Sequence, residues 1–79
     1  MGDEDKAGID RRVAFLKGEM EPAGFHLPDD VIRFIASFLK PEMNTLIGAL
    51  IRLEAYQSMT PGRVVSVDDA RDICKDMVA

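Results

Sequence analysis

The stretch Leu27-Pro28-Asp29-Asp30-Val31-Ile32-Arg33-Phe34-Ile35-Ala36-Ser37-Phe38-Leu39 decides the fold. Pro28 suits the first turn of a helix, and Asp29 and Asp30 complement the positive end of the helix dipole. Val31, Phe34, Ile35 and Phe38 recur at helical spacing along one stripe. Ile32 and Leu39 widen that stripe, so the helix is expected to be buried on more than one side and to form the centre of the core. Lys40-Pro41 then ends it, because the residue before a proline is pushed out of the helical region.

Working towards the C-terminus, Pro41 is expected in the first turn of a third helix with Glu42 beside it, running to about Ser58. Leu46, Leu50 and Leu53 supply its inward stripe, with Ala49 adjacent and Gly48 leaving room for a neighbouring backbone. Thr60-Pro61-Gly62 carries turn chemistry, and Arg63 to Val65 reads as a short extended link. Ser66 with Asp69 three residues later makes an N-cap signature for a fourth helix, whose apolar face is Val67, Ala70, Ile73, Cys74 and Met77.

Working towards the N-terminus, Pro22 and Gly24 close a first helix that Asp10 is expected to cap. It starts at Arg11, with Val13, Leu16 and Met20 near one face and Ala14 and Phe15 beside it. Gly18 inside it costs about 1 kcal/mol relative to Ala, which makes this helix the weakest of the set. Residues 1–8 are acidic, polar and bracketed by Gly2 and Gly8, and read as a flexible tail ahead of a domain spanning 9–79. The expected fold is all-α, a small bundle of four helices without repeats or low-complexity tracts.

With 79 residues there is room for one domain, burying only about 60% of its unfolded surface. Hydrophobic residues at 47% and charged residues at 30% match a globular chain rather than a disordered or membrane-spanning one. The net charge of −4 argues against gripping a phosphate backbone, which needs clustered Lys and Arg; Arg11-Arg12 is the one adjacent basic pair. No apolar stretch approaches the length of a membrane span, and the acidic N-terminus is unlike a signal peptide. A single cysteine fits a reducing cytoplasm, the expected location.

The residues that could carry chemistry lack partners. His26 is the only histidine and sits in the loop Gly24-Phe25-His26-Leu27, where it reads as a solvated loop residue. Cys74 is the only thiol and reads as a small core residue. Asp29-Asp30 and Asp68-Asp69 fall where helix N-termini favour negative charge, so capping explains both pairs. Met20, Met43, Met59 and Met77 lack the spacing of a recognition groove and read as gap fillers. No Gly-rich phosphate loop occurs, and the chain reads as no complete enzyme, without a metal site.

Four blocks taken together resemble a known family. Arg12-Val13-Ala14-Phe15-Leu16, Leu27-Pro28-Asp29-Asp30-Val31 with Phe34-Ile35-Ala36, Gly48-Ala49-Leu50 with Arg52-Leu53, and Ala55-Tyr56 through Val65-Ser66 to Ala70-Arg71 resemble, in order, the helical lid of the DnaA-type AAA+ module. The likeness covers about residues 9–78. It implies that an α/β ATPase core carrying Walker motifs binds ATP or ADP elsewhere in a parent protein, and that a separate helix-turn-helix domain reads origin DNA. The expectation is an excised fragment or a standalone lid, with no cofactor of its own and no direct DNA binding.

The departure from the family lies in the third helix. Where the family usually reads Ser-Asn-Val-Arg-Glu-Leu-Glu-Gly-Ala-Leu, this chain reads Pro41-Glu42-Met43-Asn44-Thr45-Leu46-Ile47-Gly48-Ala49-Leu50. Asn44 occupies the place of the sensor-2 arginine, whose permanent charge and several donors suit phosphate contact. Asn44 offers only neutral hydrogen bonds. Ile47 replaces a usual Glu and Ile51 a common Asn, and positions 44, 47 and 51 share one helical face. Two readings stand open: an apolar contact face towards the ATPase core or a partner protein, or a simple enlargement of the lid's own core.

The resemblance therefore implies a lid that packs on an ATPase core and contributes to nucleotide-dependent assembly at the replication origin, with the initiator or other replication proteins as partners. Two alternatives are a lid from a DnaA-related regulator lacking the DNA-binding domain, and a freestanding helical interaction module docking a partner helix.

Overall fold

The computed structural model describes residues 2–78. Met1, at the head of the expected tail, and Ala79, at the end of the expected domain, lie outside them. Four α-helices follow in order: α1 (Gly2–Ala23), α2 (Asp29–Phe38), α3 (Met43–Met59) and α4 (Val67–Ile73), with a 3₁₀ turn at Lys75–Met77. The expected all-α, four-helix architecture is present, with no strand among the described residues.

Helix α1 begins nine residues before the expected Arg11. Asp10 is thus inside the helix rather than its cap, and its carboxylate accepts from Arg33 Nη1 of α2 at 3.2 Å. The stripe Val13, Leu16, Met20 continues back to Ile9, which packs against the core, so the apolar face starts a turn earlier than the cap signal suggested. Two further ties join α1 to α2 in antiparallel sense: Arg12 Nε donates to the Ala36 carbonyl at 2.8 Å, and Lys17 Nζ lies 3.4 Å from Asp29.

Pro22 falls in the last turn of α1, and the helix closes just beyond it. The Phe25 amide donates to the Met20 carbonyl at 3.2 Å and the Gly24 amide to the Glu21 carbonyl at 3.1 Å, while Gly24 has φ +67. This is a Schellman closure, with the left-handed position filled by the residue that meets no Cβ penalty there. Phe25 and Met20, the residues that such a closure brings together, are both buried.

Helix α2 is the centre of the core, with its axis of burial rotated from the expected stripe. Val31, Ile32, Ile35, Ala36 and Leu39 are buried, whereas Phe34 and Phe38 are half-buried at the rim. Their rings stack with centroids 4.6 Å apart, and the Arg71 guanidinium of α4 lies 5.5 Å above Phe34. Pro28 is the residue before the first turn rather than within it; its carbonyl accepts from Val31 and Ile32, both at 3.1 Å.

The chain turns tightly at Pro41, where the Glu42 amide donates to the Lys40 carbonyl at 2.8 Å. Helix α3 therefore starts after Glu42, which serves as its N-cap residue instead of entering the first turn. Thr60-Pro61-Gly62-Arg63 closes with a 3.2 Å bond from the Arg63 amide to the Thr60 carbonyl, and Gly62 at φ +85 completes a type II turn. At α4 the expected cap is realised in both directions: the Asp69 amide donates to Ser66 Oγ, and the Ser66 amide donates to Asp69 Oδ2, each at 3.1 Å.

Leu16, Val31, Ile35, Leu53, Val65 and Cys74 are fully enclosed. Burying each of the larger aliphatic side chains contributes about 1.5–3 kcal/mol. The C-terminal segment returns to α2 through an isolated antiparallel bridge between Leu39 and Val78. This places the 3₁₀ turn beside the C-terminal end of α2, where the Lys40 amide donates to the Met77 carbonyl at 3.5 Å.

Candidate functional site

Helix α3 carries the candidate residues, and its inward face orients them. Leu46, Ala49, Leu50 and Leu53 point into the core. Along one edge of the helix, Gly48 meets the Met77 side chain, which a Cβ at Gly48 would approach to 3.2 Å. The close neighbour is thus a methionine methyl rather than the backbone expected. On that edge too, Arg52 donates to Asp76 through two nitrogens and to the Ile73 carbonyl at 3.2 Å.

With those two sides engaged, the remaining face of α3 holds Asn44, Ile47 and Ile51. Asn44 is exposed, Ile47 half-buried and Ile51 62% exposed. Of the two open readings, enlargement of the internal core does not hold for Ile51, because most of its surface is in water. Met43, 65% exposed, extends the same stripe by one turn. Met43 and Met59, the latter 78% exposed, are therefore not gap fillers; Met20 is buried and Met77 half-buried, as gap filling requires.

Beside this stripe the last turns of α1 form a second wall. Met20, Ala23 and Phe25 line a shallow groove opposite Ile47 and Ile51, with Glu19 and Glu54 also among its lining. This α1 side was missed from sequence. Its signal was Gly24 followed by Phe25, the C′ glycine and hydrophobic C″ residue of a Schellman closure, which folds Phe25 back under Met20.

Elsewhere the acidic and nucleophilic residues are occupied structurally. Asp68 pairs with Arg71 at 3.1 Å. The Ser66 amide bonded to Asp69 holds that carboxyl below its usual range. His26 is exposed in its loop, and its carbonyl accepts from Gln57 Nε2 at 3.3 Å. Cys74 is buried, and burial pushes its thiol upward, away from the reactive thiolate. No group of three His, Cys, Asp or Glu side chains able to hold a metal occurs among the described residues, and none of their helices is long and apolar enough to cross a membrane.

The arrangement is thus an apolar strip with a neutral amide at one end, suited to contact with another protein surface. The chain is 36% identical over 78 residues to the chromosomal replication initiator protein DnaA of Citrifermentans bemidjiense, an alignment covering 99% of this chain and 17% of the relative. It is 41% identical over 70 residues to DnaA of Geotalea daltonii, covering 89% and 16%. The chain is homologous to a stretch of DnaA. DnaA of Dechloromonas aromatica is 40% identical over 70 residues, covering 89% and 15%.

The chain spans about a sixth of the length of these DnaA relatives. Since the first alignment takes in 99% of the chain, Asn44, Ile47 and Ile51 all fall inside the DnaA-homologous stretch. No protein-family model matches the chain, and no solved structure matches it significantly.

Proposed function

We propose that the chain is the helical lid of a DnaA-related AAA+ protein, packing on an ATPase core and contributing to assembly at a replication origin, while catalysis resides in that core. The observation that carries this reading is Ile51, 62% exposed on the face it shares with Ile47 and Asn44. An isoleucine in that position gains free energy only when something covers it, by about 25 cal/mol for each Å² of apolar surface removed from water. Homology to DnaA supports an ATPase core as the covering surface.

On this reading the face has exchanged nucleotide sensing for packing. Asn44 stands at the sensor-2 position, where a neutral amide replaces a guanidinium and cannot follow the charge of a γ-phosphate. ATP and ADP are ligands of the parent protein's core, and the other replication proteins of the origin complex are its partners. The cytoplasm is the compartment in which they meet.

Titrating the intact parent protein with ATP and ADP tests this. The expected result is weak discrimination between the two, unchanged in Asn44→Ala and increased in Asn44→Arg. Strong discrimination that is lost in Asn44→Ala would overturn the reading. Walker motifs in the gene on the N-terminal side of residue 1 are also expected.

A further inference from the structure

We propose that the groove between α1 and α3 receives an apolar side chain from a partner helix whose flanking residues are Lys or Arg. This inference rests on the reading of the outer α3 face as a contact surface and specifies the chemistry of what covers it. Met43, Ile47 and Ile51 recur every four residues, which draws a nearly straight line about 12 Å long on the helix. Such a ridge fits alongside another helix. Met43 at one end is a flexible thioether that adapts to the surface it meets.

The charges around the groove select the partner. Glu19 on α1 and Glu54 on α3 both line it, from opposite walls. Neither belongs to any of the six salt bridges among the described residues, all of which use aspartates. Of the basic residues on the same two helices, Lys17 pairs with Asp29, and Arg52 pairs with Asp76 on another side of α3. An apolar residue entering between Met20, Phe25 and Ile51 therefore brings its neighbours against two carboxylates without a cation of their own. Lys and Arg at those neighbours gain attraction. A second copy of this chain, carrying −4, would bring the same acidic rim against itself, which like charges oppose.

Two synthetic amphipathic helical peptides with the same leucine stripe, one flanked by Lys and one by Glu, test this when titrated into the folded chain. Binding is read by fluorescence anisotropy and located by amide chemical shifts. The Lys-flanked peptide is expected to bind about tenfold tighter than the Glu-flanked one, with shifts at Ala23, Ile47 and Ile51. Ile51→Glu should abolish these shifts, whereas Val64→Glu, altering a residue 71% exposed that does not line the groove, should not. The double variant Glu19→Lys/Glu54→Lys should reverse the preference.

Equal affinity of the two peptides, or a double variant that keeps the Lys preference, overturns the charge rule while leaving the α3 contact face standing. Shifts confined to the Asp68–Asp72 acids, with none at Ile51 for either peptide, overturn the groove as a docking site. Neither outcome bears on nucleotide discrimination, which is read separately on the parent protein.

Discussion

Two parallel hydrogen bonds join Arg52 to Asp76, Nη1 to Oδ1 at 2.6 Å and Nη2 to Oδ2 at 3.2 Å. The same Nη1 also donates to the Ile73 carbonyl at 3.2 Å. That carbonyl is the acceptor the Met77 amide would use if α4 continued. The Met77 amide instead donates to the Cys74 carbonyl at 2.9 Å. Arg52 therefore stands at the point where α4 gives way to the 3₁₀ turn and Met77 swings against Gly48.

Asp76→Asn is expected to lower the melting temperature at neutral pH, with the gap to the parent chain closing in acid. The Arg52 hydrogen bonds hold the Asp76 carboxyl below its ordinary value of 3.8. A depressed folded pKa stabilises fully above the unfolded value, and the gain is lost as pH falls through the folded one. Thermal melts of both chains in a descending pH series check this, and a gap that widens in acid would contradict it.

Two glycines, Gly18 inside α1 and Gly24 just past its end, should respond with opposite sign to the same change. Gly24→Ala forces a side chain into φ +67 and is expected to cost about 1–2 kcal/mol. Gly18→Ala meets no atom within 4 Å and lies in the helix interior, so it should stabilise by up to about 1 kcal/mol. Urea unfolding of both variants measures the difference.

Ser66→Ala should destabilise the chain by about 1 kcal/mol. It removes the oxygen that accepts from the Asp69 amide and leaves the reciprocal half of the box intact. Amide hydrogen exchange should show the loss first at Asp68 and Asp69, in the opening turn of α4, ahead of the core helices.

Cys74 should resist thiol reagents in the folded chain, reacting at least about tenfold slower than free cysteine. It is buried in the hydrophobic core, and burial raises its pKa. The raised value contributes stability below the unfolded pKa that is lost as pH rises through the folded one. Reaction with an aromatic disulfide in the absence and presence of denaturant measures the ratio.

The helices were legible because their signals are local. Asp29 and Asp30 at the start of α2, the Ser66–Asp69 box at α4 and the turn at Pro61-Gly62 each act within a few residues, and each appears where expected. The errors arose where a local cue competed with a longer pattern. Asp10 looked like a cap, yet Ile9 continues the buried stripe across it, and burial of an apolar face outweighs one cap. Pro41 looked like a first-turn proline, yet it makes the turn before the helix.

The sequence by itself determined that the chain forms four helices and that Asn44, Ile47 and Ile51 share one face of the third, because helical periodicity places them there regardless of context. Only the tertiary structure decided which side of that helix stays in water. The inward stripe meets α1 and α2, while Gly48 and Arg52 receive Met77 and Asp76 from the far end of the chain. Those contacts join residues more than 20 positions apart, which no local pattern encodes. They leave Ile51 uncovered beside a groove whose other wall, Met20 and Phe25, is formed by the closure of α1.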